Sequence, residues 1–254
     1  MDVFYPGESG VCLNHAPPRP KRNPMKRSEI NAIMREADAF IRQRGFYLPP
    51  FAYWTPKEWQ GKGEEAREIV ENQLGWDITD FGGGRFSSLG LFLFTVRNGS
   101  QAEMRAKQGK LYCEKLMIVG VDQVTPMHFH WNKVEDIINR GGGDLVIQLY
   151  NANEQEGLAD STVVASVDGV KREVTAGNVV RLTPGESITL PPRLYHKFWG
   201  AKSRVLVGEV SLVNDDQNDN RFYETVGRFP AIDEDEEPLH LLVTDYNNYY
   251  RVIR

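Results

Sequence analysis

From Leu89 to Val213 the chain is a succession of short runs rich in Val, Ile, Leu and Phe, cut by Asn-Gly, Gly-Gly-Gly, Asp-Gly and Pro-Gly. Among the runs are LGLFLFTVR, KLYCEKLMIVG, TPMHFHW, VEDIINR, DLVIQLYNA, HKFWG and RVLVGEVSLV. Branched and aromatic residues suit a pleated, half-buried surface, and the glycine pairs supply the turns of antiparallel hairpins. The pattern predicts an all-β sandwich or barrel. A chain of 254 residues, 41% hydrophobic, can bury one large core, so a single domain with terminal additions is expected.

Residues 1–24 are rich in proline and turn formers without a hydrophobic period and predict an extended or poorly ordered arm, His15 included. A helical region packing on the barrel is expected over 25–84, the barrel over 85–220 and a C-terminal arm over 221–254. In MKRSEINAIMREADAFIRQRGF, Ser28 can cap a helix whose apolar stripe is Ile30, Ile33, Met34, Ala37, Phe40 and Ile41, with Gly45 as a stop. Met25, where this periodic element begins, is a candidate natural start. The aromatics of LPPFAYWTPKEWQGKG could line a sugar pocket or cover the barrel mouth, the latter being the commoner role. A second helix is predicted from Glu64 to Leu74. The tail, with IDEDEEP and LHLLV, reads as a wrapping arm or oligomer contact.

The net charge of −5 comes with interspersed signs and no basic stripe, and no apolar run approaches the roughly 20 residues that span a bilayer. Neither nucleic acid nor membrane is an expected partner. Cys12 and Cys113 are too few for a disulfide framework or thiolate metal site, and the start lacks an apolar signal core, so a cytoplasmic setting is expected.

Three of the five histidines enter one pattern with a carboxylate: His128, His130, Glu135 and, after a long gap, His196. Residues two apart in a strand face the same side, so His128 and His130 present both imidazoles to the barrel interior. Glu135 lies an odd number of residues beyond His130, and a hairpin through Trp131, Asn132 and Lys133 is expected to return it. Imidazole nitrogens and a carboxylate oxygen make a mixed site for a divalent first-row metal.

These segments carry a family resemblance. MHFHWNKVE resembles the first cupin motif, and GESITLPPRLYH resembles the second, with Gly185, Pro191 and His196 in order. Arg193 and Gly200 stand where the family has glycine and asparagine, and Gly120 is out of register, but all four ligand positions are intact. The resemblance implies a cupin double-stranded β-helix, a jelly-roll barrel. From about Met25 to Asn220 the chain is further similar to bacterial D-lyxose isomerase, through MKRSEINAIMREADAF, FGGGRFSSLGLFLFTVRNG, YCEKLMIVGVDQVTPMHFHWNKVEDIINRGGGDLVIQLYNA and VGEVSLVNDDQNDNRF. This implies a metal-dependent aldose-ketose isomerase acting on D-lyxose and D-xylulose, often also on D-mannose and D-fructose. An Fe(II)-dependent oxygenase and a non-catalytic sugar-binding cupin are the rival readings.

An isomerase needs a Lewis acid for the developing enediolate and a proton carrier near C1 and C2. Hard oxygen substrates favour Mn2+, with Co2+, Fe2+ or Zn2+ as alternatives. Glu209, on the strand face shared by Val207 and Ser211, is the first candidate carrier. Lys115 is the second, and could instead bind a substrate oxygen. Asp216 and Arg221 are candidate sugar ligands in the polar run after the Glu209 strand. Trp131, Phe198 and Trp199 could exclude water or stack on sugar, with core packing the commoner role, and His240 reads as structural. The amphipathic first helix and the apolar tail exceed what a barrel needs, so a homodimer is expected.

Overall fold

The computed structural model describes residues 24–252, so the arm expected over 1–24 lies outside the described residues apart from Pro24. The chain runs β1 (Met25–Lys26), α1 (Arg27–Gln43), α2 (Pro56–Gln60), α3 (Arg67–Glu71), β2 (Gly75–Thr79), β3 (Leu91–Arg97), α4 (Gln101–Ala106), β4 (Tyr112–Val119), β5 (Thr125–Phe129) and β6 (Glu135–Ala152). It continues through β7 (Leu158–Ala159), β8 (Val163–Val167), β9 (Val170–Val174), β10 (Val179–Leu182), β11 (Ser187–Leu190), β12 (Leu194–Leu212), β13 (Arg221–Phe222), β14 (Ile232–Asp233) and α5 (Tyr246–Tyr249).

Two long antiparallel partners, β6 and β12, organise the barrel because each serves both of its sheets. The first half of β6 pairs with β11 and its second half with β10, while the first half of β12 pairs with β5 and its second half with β4. One layer therefore runs β2-β3-β4-β12-β6-β11-β8-β9, and the other carries β13, β5 and β10 around the remaining halves. This is the expected double-sheet barrel.

The Gly-Gly-Gly run is not the hairpin turn expected from the sequence. Gly141 and Gly142 have φ of +124° and +111°, and they mark a bend inside one continuous strand. A Cβ on Gly142 would come within 2.2 Å of the Arg204 carbonyl oxygen, and one on Gly143 within 2.2 Å of that of Ala201. Glycine is needed here for close approach, since β12 bends alongside and shifts register between Ala201 and Val205. For the same reason HKFWG and RVLVGEVSLV form one strand.

Strand alternation divides apolar residues between two cores. Leu93, Met117, Ile137 and Val207 face the barrel interior, whereas Trp76, Phe92, Phe94, Leu116 and Leu206 face outward beneath α1. Ile30, Met34, Ala37, Phe40 and Ile41 of α1 close over that outer face, each large side chain contributing about 1.5–3 kcal/mol. The aromatics of residues 48–63 do not line a pocket or barrel mouth: Phe51 stacks on Phe94 in the outer core, and Trp59 packs with Trp54 and Tyr246 in a separate cluster with the C-terminal segment.

Ser28 does not cap α1. It lies inside the first turn, where Asp235 of the tail accepts from its backbone N–H at 2.9 Å and its hydroxyl at 2.8 Å. Buried Arg27 pairs with Glu234 and Asp245, so the acidic tail meets the positive end of the helix. His240 stacks on Trp76. The second helix is a short turn over Glu64–Ala66 followed by α3, which ends at Glu71 because Gln73 takes a positive φ to feed β2. The strand β2 and the helix α4 are additions to the sequence reading. Among the described residues no helix is long and apolar enough to cross a membrane.

Candidate active site

Cross-strand register assembles the histidines. His196 on β12 lies opposite His128 on β5, and His130 follows two residues on, so all three side chains enter the same buried space. Their ring nitrogens form a cluster within 4.8 Å of one another. Glu135 opens β6, but the connection through Trp131, Asn132 and Lys133 is not the expected hairpin. β5 pairs with β12 and β13, so the connection crosses between layers and delivers Glu135 to the histidines from the adjoining strand.

Each imidazole is oriented by a backbone carbonyl: Nδ1 of His128 meets Pro126 O at 2.8 Å, that of His130 meets Asp219 O at 2.7 Å, and that of His196 meets Leu194 O at 3.0 Å. A carbonyl only accepts, so Nδ1 carries the proton and each Nε2 presents a lone pair. Glu135 Oε1 lies 3.1 Å from His196 Nε2 and 3.4 Å from His130 Nε2, yet it is buried without a hydrogen-bond partner. Lone pairs converging with no proton between them repel unless a cation takes the centre. The four residues thus fit a divalent metal, with the carbonyls as its outer orienting shell. Burial, reinforced by the neighbouring imidazoles, pushes His128 well below the usual histidine range and keeps it in the neutral, ligating form.

The cluster lies in a cavity also lined by Lys115, Met117, Lys133, Phe198, Glu209, Asp216, Phe222 and Arg228. Charges of alternating sign form a chain along its wall. Lys133 Nζ is 2.8 Å from both Glu135 Oε2 and Glu209 Oε1, and Lys115 Nζ is 3.6 Å from Glu209 Oε1 and 3.9 Å from Asp216 Oδ1. Arg228 Nη2 then stands 3.0 Å from Asp216 Oδ2 and 2.6 Å from Asp77 Oδ2. Burial alone would raise the Glu135 carboxyl, but the Lys133 ammonium beside it outweighs burial and holds it well below the usual carboxylate range. Asp216 is likewise held down against its burial by Arg228 and Lys115.

Glu209, Lys115 and Asp216 are therefore brought to the cavity with the histidines. Arg221 is not: its Nε donates to Glu156 at 3.1 Å, outside the cavity lining. Trp131 likewise turns to Glu156, whereas Phe198 lies beside His196 with a ring separation of 6.5 Å. Lys133, Arg228 and Phe222 were not singled out from the sequence. Lys133 had a usable signal, since a lysine within the ligand motif must either leave the barrel or find a carboxylate partner. Arg228 had none, because it follows the barrel in an irregular segment.

A two-layer barrel carrying three inward imidazoles and a carboxylate defines a cupin with a metal-type site. The D-lyxose isomerase family model matches residues 25–246. The chain is 49% identical over 228 residues to a D-lyxose/D-mannose isomerase of Escherichia coli O157:H7, covering 89% of this chain and 100% of that protein. It is 48% identical over 225 residues to one of Serratia proteamaculans, covering 87% and 98% respectively. In structure it resembles the L-ribose isomerase of Cellulomonas parahominis with L-ribose, at TM-score 0.56 and 19% identity over 84% of this chain and 100% of that one. The chain belongs to the D-lyxose isomerase family, which makes it a sugar aldose-ketose isomerase.

Proposed function

We propose that the protein is a metal-dependent D-lyxose ketol-isomerase that interconverts D-lyxose and D-xylulose and also takes D-mannose and D-fructose. The observation that carries this reading is the placement of the Glu209 carboxylate, which lies outside the ligand set, in the cavity of the His128, His130, Glu135 and His196 cluster. D-lyxose and D-mannose are the sugars named for the relatives at 49% and 48% identity.

A divalent ion, with Mn2+ preferred and Co2+, Fe2+ or Zn2+ as alternatives, would supply Lewis acidity to the carbonyl and adjacent hydroxyl oxygens when held by these four residues. Glu209 takes the proton from C2 of the aldose and returns it to C1, while the hydroxyl proton of O2 passes to O1. Lys133 and Lys115 fix the Glu209 carboxylate from two sides, and Lys115 also offers a donor to a substrate oxygen. Phe198 and Phe222 line the cavity and limit water near the transferred proton. The reading extends to a homodimer working in the cytoplasm.

The test is incubation with D-lyxose and Mn2+ under nitrogen, with D-xylulose as the expected product. Turnover that requires oxygen, or saturable sugar binding without ketose, would overturn it.

A further inference from the structure

Arg228 is the one charged cavity residue with a buried donor left over. Its Nη2 is committed to both Asp77 and Asp216, whereas Nη1 is buried without a partner. The guanidinium plane is covered by the Phe229 ring, 4.7 Å from its centroid, and Thr79 Oγ1 donates to the Arg228 carbonyl at 2.7 Å. A planar fork bound at one nitrogen, covered on one face and anchored at its backbone has its remaining N–H directions fixed. A buried, unpaired guanidinium N–H costs stability, so a position that retains one points to a ligand atom that completes it.

The position of this donor indicates which atom. Along the wall, the ion pairs run from Glu135 through Lys133, Glu209, Lys115 and Asp216 to Arg228, so four charged side chains stand between Arg228 and the nearest candidate metal ligand in that chain. Phe81, Leu91 and Leu93 also line the cavity and cannot bond a hydroxyl. We propose that Arg228 binds the sugar at its end remote from the metal, donating from Nη1 to the C5 hydroxyl of a five-carbon aldose. Asp77 is a positioning residue that acts through Arg228. Edge strand β2 thereby contributes to the site without touching substrate: Asp77 and Thr79 face the arginine, while Trp76 and Ile78 face α1.

This proposal rests on the isomerase reading, and the experiment separates the two. Steady-state kinetics on D-lyxose and 5-deoxy-D-lyxose are measured for the Mn2+-loaded wild type, Arg228→Lys and Asp77→Asn, with bound Mn2+ quantified in each. The wild type should lose about tenfold or more in kcat/KM on the deoxy sugar, since a hydrogen bond to a charged group is removed. Arg228→Lys keeps the charge but not the fork. It should raise KM for D-lyxose by a similar factor and treat both sugars alike, with Mn2+ content unchanged. Asp77→Asn should lose part of the discrimination while retaining its metal. A wild type indifferent to the C5 hydroxyl overturns the proposal without any variant, as does an Arg228→Lys enzyme that discriminates in full. A wild type that converts neither sugar overturns the isomerase reading itself, and the Arg228 assignment with it.

Discussion

Lys133 Nζ stands 2.8 Å from Glu209 Oε1, with both side chains buried, and the same ammonium lies 2.8 Å from Glu135 Oε2. One cation thus ties a candidate metal ligand to the candidate proton carrier. Removing it leaves two buried carboxylates facing each other. A broken buried pair of this kind typically costs about 3–5 kcal/mol. Lys133→Met should therefore lower the free energy of unfolding by about 3 kcal/mol and abolish most turnover. Urea denaturation showing a loss under about 0.5 kcal/mol would mean that the two acids are already neutral or hydrated.

The metal cluster leads to a separable expectation. The purified chain should hold about one divalent ion, and His128→Ala or His196→Ala should lose it, because each supplies an Nε2 that nothing else nearby can replace. Both variants should remain folded, since the interior core does not depend on the site. Equal metal by elemental analysis in wild type and variants would remove these residues as ligands.

Glu209 should behave differently from the ligands. Glu209→Gln keeps the shape and the contact with Lys133 but cannot accept a proton. Metal content and sugar affinity should persist while kcat falls by about 10² or more. Near-normal turnover would move the base elsewhere, with Lys115 and Asp216 next along the wall.

How far the sequence carried depended on the range of the interaction. His128 and His130 were legible because strand period alone sets their common face, and Glu209 because Val207 and Ser211 share its side of β12. The part played by Lys133 was hidden, since a turn after TPMHFHW reads as a hairpin unless the partner of β5 is known to be β12. The bend at Gly141–Gly143 was misread for a related reason. A glycine run signals either reversal or close approach, and only the matching bend of β12 decides between them. Asp77 went unseen because GWDIT places an acid in the middle of a short apolar run, which looks unlike a strand until Arg228 is placed opposite. Arg221 was drawn in by its neighbours in a polar run, yet Glu156, distant in sequence, takes its side chain away from the cavity.

Asp216 and Asp77 share the Arg228 guanidinium yet should tilt acid stability in opposite directions. Burial would raise Asp216, but Arg228 and Lys115 outweigh it and set its folded-state pKa far below the ordinary 3.8. Its contribution is therefore complete above about pH 4 and is lost as pH falls below that towards the folded value. Burial raises Asp77 despite the same arginine, so its effect favours the folded chain at low pH and fades as pH rises through its folded pKa. In chelator-treated protein, where metal loss does not contribute, the urea midpoint of the wild type should drop between about pH 4.5 and 3. Asp216→Asn removes a group that must be protonated on unfolding in acid, so its midpoint should fall less steeply over that range. Asp77→Asn removes the opposing term and should steepen the fall. Parallel acid limbs for wild type and both variants would show that neither carboxylate changes its proton affinity on folding.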